Sequence, residues 1–262
     1  MKSIFTYTYK IIFVLIFCIN TKQANAQVLA AGDIAFTGYI SAGSTDEFSF
    51  VLLKNIPSGT TITFTDNSWL NTNIFRAGEE TLVWTSSAAM LTGTEVKISG
   101  VGGSATIISS LGTCTGNMLS LSTSGDQVLA YQGTVASPTF ISAIHMNVYQ
   151  STPPISDPVA TDAATWDNTN SNNTTASSLP TGLTTGSTAI WVGTFQVSAS
   201  EFDNAVFNCT GVPGTVAQIR AAVNNPANWT KSNGSPTAPV TVPSGCSFLQ
   251  LPQLMILNLL PN

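Results

Sequence analysis

The segment spanning residues 47–69, EFSFVLLKNIPSGTTITFTDNSW, narrows the possible folds more than any other part of this chain. Side chains of an extended strand point alternately to its two faces, so Phe48, Phe50 and Leu52 share one face and Ser49, Val51 and Leu53 the other. Apolar residues on both faces predict a strand buried on both sides. After the turn residues Asn55-Ile56-Pro57-Ser58-Gly59, Ile62 and Phe64 alternate with Thr61, Thr63 and Thr65, the pattern of a strand with one wet face. Two strands joined by a turn thus supply a sheet and its core, and they carry no set of groups suited to a reaction.

The rest of the chain repeats this pattern in shorter units. Ile34 and Phe36 face inward from an early strand, and further strands are predicted at 81–85, 95–99, 105–109, 118–122, 127–132, 140–146, 188–193 and 204–208, bounded by Gly and Ser turns. Many short strands about ten residues apart point to a sandwich or barrel. One helix is expected: Thr215 caps it, Val216, Ile219 and Val223 share a face, Pro226 ends it, and Trp229 packs behind it. Residues 151–186 form a polar, Pro-punctuated surface excursion. Gly-Asp precedes a strand at both Gly32-Asp33 and Gly125-Asp126, which is a common way to turn into a strand and falls short of a repeat.

The N-terminus reads as a secretory leader. Lys2 and Lys10 precede the apolar run from Ile11 to Phe17, and Ala24-Asn25-Ala26 has the small-x-small cleavage pattern, so residues 1–26 are expected to be removed. The run is too short to span a bilayer, and no membrane span is expected after processing. Losing Lys2, Lys10 and Lys22 leaves 13 acidic side chains against about five basic ones. Nucleic acid is excluded as a partner, because phosphate binding needs basic clusters. Cys114, Cys209 and Cys246 would then enter an oxidising compartment, with three pairings open and Cys209 with Cys246 preferred. The module is assigned to residues 27–246. Residues 247–262, uncharged and leucine-rich, are read as an apolar tail that is truncated or displaced.

Four pieces of the chain carry a resemblance: AGDIAFTGY at 31–39, FSFVLL at 48–53, TFTDNSW at 63–69 and LSLSTSGDQVLAY at 119–131. Together with LPTGL at 179–183 and DNAV at 203–206, they resemble a family of uncharacterised secreted bacterial modules. The order of an early strand, a Phe-rich strand, a Trp after a Thr-rich strand and a late Gly-Asp strand is more distantly similar to lamin-tail-type immunoglobulin-like sandwiches. These resemblances imply a mainly β, Ig-like sandwich with one short C-terminal helix, located outside the cell or on its surface. They imply no enzyme activity, and a fold alone does not fix function.

Candidate chemistry is sparse. His145, the single histidine, lies in a strand pattern with no nucleophile motif nearby. Glycoside hydrolysis needs two carboxyls facing each other across a cleft, and the neighbours Asp46 with Glu47 and Glu79 with Glu80 point to opposite faces of an extended chain. Hydrolysis by distant acids that converge stays an alternative. Calcium is the metal that oxygen-rich loops would take, with Asp33, Asp46, Asp66 and Asp126 as ligands if their loops meet at one edge. No other cofactor is expected. Trp166, set among Asp162, Asp167 and Asn168, is the candidate for stacking on a sugar. The leading reading is a non-enzymatic structural or adhesion module of a secreted protein, with an extracellular polysaccharide or surface protein as partner. A carbohydrate- or calcium-binding module is the alternative.

Overall fold

The computed structural model describes residues 27–146, 166, 177–193, 202–234 and 242–248. The leader, most of the 151–186 excursion and residues 249–262 of the apolar tail lie outside the described residues. The strands are β1 (Ile34–Ile40), β2 (Asp46–Leu52), β3 (Thr61–Thr65), β4 (Thr81–Thr85), β5 (Glu95–Gly100) and β6 (Ile107–Ser109). They continue with β7 (Thr113–Gly116), β8 (Gln127–Thr134), β9 (Ser137–His145), β10 (Ala189–Trp191), β11 (Asn204–Phe207) and β12 (Trp229–Ser232), and the helix α1 (Val216–Val223) lies between the last two. Among the described residues two six-stranded sheets result, ordered β12-β11-β1-β2-β5-β6 and β10-β9-β8-β3-β4-β7. The protein is a β-sandwich with one short helix near its C-terminal end.

β2 and β3 are not neighbours in one sheet. They belong to different sheets and face each other across the core, with the Phe64 ring 5.0 Å from Phe48 and 5.1 Å from Phe50. Trp84 stands edge-on to Phe50 at 5.4 Å. The reason is physical: the apolar faces of both strands need a cover, and crossing between sheets lets each cover the other. β2 is buried from Phe48 to Leu52, as its two apolar faces require, while β4 alternates between buried and half-buried.

Two bulges break the simple alternation. Phe36 pairs with Phe50 and Gly38 with Ser49, so Thr37 is the extra residue in β1, and Tyr39 then turns inward beside Phe48. In β9 the extra residue is Ile141, whose carbonyl accepts the Gly32 N–H at 2.7 Å and ties the entry to β1 to the opposite sheet. A second, smaller core lies outside the main one. There Leu129, Tyr131, Phe140 and Ala143 are covered by Trp69, Trp166 and Leu183, with Phe75 5.0 Å from Trp69.

Residues 118–122 do not form a strand. The strand in this region is β7, which starts five residues before the expected strand, where Leu82 to Thr85 need an antiparallel partner. The helix follows its sequence signals. Thr215 and Gln218 make a reciprocal capping box, Ile219 and Val223 are buried, and the Trp229 indole donates to the Val223 carbonyl at 2.8 Å.

The segment 242–248 lies across the first sheet. Val242 packs on Ile40 and Val206, the Glu95 carboxylate accepts the N–H groups of Ser244 (2.8 Å) and Gly245 (3.1 Å), and Cys246 forms a disulfide with Cys209. Phe248, at the start of the stretch read as a tail, is buried in the main core and stacks on Phe207 at 6.2 Å. Gly38 is the seat for this crossing, since a Cβ there would come within 1.9 Å of a Val242 methyl. Gly38→Ala is expected to cost about 1–3 kcal/mol by overpacking. Urea unfolding of the single variant and of the double variant with Val242→Ala tests this; the double variant recovers part of the loss if Val242 is the obstacle.

Candidate functional site

At one end of the sandwich, three aspartates from three strand ends converge on one short segment. Asp46 opens β2, Asp66 follows β3 and Asp126 precedes β8. The Ser120 N–H donates to Asp66 Oδ2 (2.8 Å), the Leu121 N–H to Asp46 Oδ2 (3.1 Å) and the Ser122 N–H to Asp126 Oδ2 (2.9 Å). Three successive backbone donors are therefore accepted by carboxylates instead of by a neighbouring strand. This explains why the LSLS pattern failed as a strand: Leu119 and Leu121 do turn inward and Ser120 outward, but no ladder forms. Met118, Leu119 and Leu121 enter the main core and close its end.

The second oxygens of Asp66 and Asp126 also have tasks. Asp66 Oδ1 accepts the Glu80 N–H at 2.7 Å, and Asp126 Oδ1 accepts both the Gln127 N–H (2.8 Å) and its Nε2 amide (2.9 Å). The same amide donates to the Asp66 carbonyl. Tyr39 Oη donates to the Ser122 carbonyl at 3.3 Å. Gly102 completes the fit, because a Cβ there would lie 2.5 Å from Asp46 Oδ2 and 3.1 Å from Ser120 Cα.

Burial dominates the electrostatics here. It pushes the Asp46 carboxyl up to about 6 against the opposing pull of the Leu121 N–H, with the Asp66 charge adding to the rise. Asp66 is also raised by burial to about 6, although N–H groups including those of Ser120 and Glu80 favour its charged form. Asp126 is shifted well above the usual carboxylate range, first by burial and then by Asp66 and Glu79. Burial lifts Glu79 to about 7 even though the Arg76 guanidinium lies 2.6 Å away.

The other candidates fall elsewhere. Asp33 sits at the opposite end of β1 from the cluster, where its carboxylate pairs with Lys54 at 2.9 Å and accepts the Ala30 N–H at 2.8 Å. The four aspartates therefore do not meet at one edge, because β1 and β2 run antiparallel and Asp33 and Asp46 begin them at opposite ends. Among the described residues, no three His, Cys, Asp or Glu side chains are grouped so as to hold a metal ion. Glu47 turns away from Asp46 to Lys97 at 2.8 Å, as expected of adjacent strand residues, and Glu80 accepts from Asn117 at 2.8 Å.

Trp166 is buried, not exposed. Its ring lies 5.0 Å from His145 in a stacked geometry, and its indole N–H donates to Thr185 at 2.9 Å, so neither is free to meet a sugar as the sequence suggested. The reason is its place over the outer face of β9, in the second core. His145 is itself buried. Cys114 keeps a thiol, half-buried, whose titration burial pushes up to about 11, far from a reactive thiolate.

Sequence reasoning did not find that Ser120 to Ser122 are the residues the acids serve, nor the part played by Gln127. Spacing carries no signal for two of the three bonds, since the partners lie 54 and 75 residues from Ser120 and Leu121. Comparison with family models, with curated proteins and with solved structures gives no match for this chain. The class of the protein is therefore defined by its fold: a two-sheet β-sandwich whose end is closed by an aspartate-held segment.

Asp126→Ala is expected to destabilise by about 3 kcal/mol, because it strips the acceptor from three donors, two of them buried with Gln127. Asp33→Ala should cost about 1 kcal/mol, because it removes one partly exposed ion pair and the acceptor of the Ala30 N–H. Denaturant midpoints of the two variants measured side by side check the contrast. Trp166→Ala should cost about 3–5 kcal/mol by the same measurement, the loss expected of a large buried ring.

Proposed function

We propose that this chain is an exported, non-enzymatic β-sandwich module that serves in adhesion, display or structure at a bacterial surface. The observation that carries the reading is the employment of its acids. Asp46, Asp66 and Asp126, the groups best suited to general acid-base work, accept backbone N–H groups that hold the end of the fold together. A catalytic acid or base must instead reach a substrate proton. The histidine and the free thiol are likewise poorly placed, one stacked under an indole and the other with its thiol held protonated.

Export is supported by the leader pattern of residues 1–26 and by the Cys209–Cys246 disulfide, a bond that persists in oxidising compartments. The two-sheet architecture is compatible with the Ig-like, lamin-tail-like resemblance, which remains part of this proposal. The partner class that fits is an extracellular polysaccharide or another surface protein, because the chain is acidic and carries few cations.

A panel of glycoside, ester and peptide substrates offered to the secreted protein is expected to give no turnover. Turnover that disappears in a folded Asp66→Asn variant would overturn the reading in favour of a hydrolase. Calcium added after chelator treatment is expected to leave the melting temperature unchanged, because the aspartate oxygens named above already accept N–H groups. A rise of several degrees would return calcium to the account.

A further inference from the structure

The leader pattern ends at Ala26, so removal of the leader would make Gln27 the first residue of the chain. The fold holds this residue at a defined place. The Gln132 carboxamide, from β8, donates through Nε2 to the Gln27 carbonyl at 2.9 Å and accepts the Leu29 N–H on Oε1 at 2.9 Å. A carbonyl and the N–H two residues further on lie on one side of an extended chain, so Gln132 stands where a neighbouring strand would pair. The same Nε2 donates to the Thr61 carbonyl at 2.8 Å, and Leu29 is buried in the main core. We propose that Gln27, freed as the N-terminus when export removes the leader, closes on itself to pyroglutamate, so that the mature chain begins with an uncharged lactam docked on Gln132. This modification depends on the export proposed above.

The step needs no oxidant, reductant or co-reactant. The α-nitrogen of Gln27 attacks Cδ of its own carboxamide, the N–Cδ bond forms, and the Cδ–Nε2 bond breaks. Nε2 leaves as ammonia and carries off the proton that the amine gives up. An α-amine keeps a neutral, nucleophilic fraction near neutral pH, which a Lys side chain does not. Both reacting groups belong to one residue, so the attack carries no cost of bringing two molecules together.

The geometry suits both the reaction and its product. Gln132 holds Gln27 by its carbonyl, which the lactam keeps, so the docking survives ring closure. The Gln27 carboxamide is bonded through Nε2 to the Val28 carbonyl at 3.2 Å, an exposed contact whose loss costs little because water replaces it. Val28 is 77% exposed and Gln27 half-buried, so the chain end is held at the surface without being enclosed. Charge favours the lactam as well. The Val28 carbonyl also accepts from Lys54 Nζ at 3.5 Å, and Lys54 is paired with Asp33 at 2.9 Å. A free α-ammonium would bring a second cation to a place where Asp33 already serves Lys54, whereas the lactam brings none.

The test is the N-terminal peptide of the full chain expressed in a bacterium with a working secretory pathway, recovered from outside the cytoplasm and held for several days at neutral pH. Mass spectrometry is expected to find a peptide that begins at residue 27 and is lighter than its sequence by one ammonia. Edman degradation is expected to be blocked until a pyroglutamate aminopeptidase removes the ring. The Gln27→Ala variant, cut at the same place, is expected to sequence freely; a block there too would mean that something other than the lactam caps the chain and would overturn the proposal. A parent chain that begins with an intact, sequenceable Gln27, or that is cut at another residue, would overturn the lactam and leave export standing. A chain that keeps residues 1–26 would overturn export and the lactam together.

Discussion

The contact of Phe64 with Phe48 and Phe50 is the one on which the rest of this molecule depends. It sets β2 against β3 across the sandwich instead of beside it, and so fixes which strands belong to which sheet. Phe36 and Trp84 extend the same aromatic layer, touching Phe64 and Phe50 at 6.1 and 5.4 Å. Ring pairs of this kind add directional preference to the area they bury. Once the two sheets face each other through these rings, each must be covered at its ends and wherever its outer face is apolar.

Those covers are made with few charges. Only 8% of the residues are charged, and several of the acids work as acceptors for backbone N–H groups. Asp46, Asp66 and Asp126 hold the segment that closes one end, while Glu95 holds Ser244 and Gly245 where the late segment crosses the first sheet. A charged acceptor makes a stronger hydrogen bond than a neutral one, which suits a segment with no strand partner. The accompanying penalty is burial of negative charge, and it is why the carboxyls at this end are raised instead of lowered.

Covering also explains the aromatics that looked available to a ligand. Trp69 and Trp166 lie in the second core with Tyr131 and Phe140, and the Trp69 ring stands edge-on to Phe140 at 4.8 Å. Trp69 is fixed there by two bonds to the late part of the excursion, its N–H to Ser177 Oγ (2.9 Å) and its carbonyl to the Ser178 N–H (2.8 Å). A tryptophan amid polar residues in the sequence is thus a piece of core once the chain returns to the sheet. The disulfide, Val242 and Phe248 play the corresponding part on the other sheet.

By itself the sequence determined the mainly β class, the positions of most strands and the capped helix, because each depends on local alternation or on neighbours three or four residues away. Thr81 to Thr85 and the span from Thr215 to Pro226 were legible for that reason. Tertiary structure alone decided that β2 and β3 face each other across the core, that Thr37 and Ile141 bulge, and that 118–122 is an extended segment without a strand partner. It alone separated Asp33 from Asp46, Asp66 and Asp126 and buried Trp166. Each of these outcomes is set by partners dozens of residues distant, and the physical pressure behind them, covering apolar faces and satisfying every buried N–H, acts only after the chain has closed on itself.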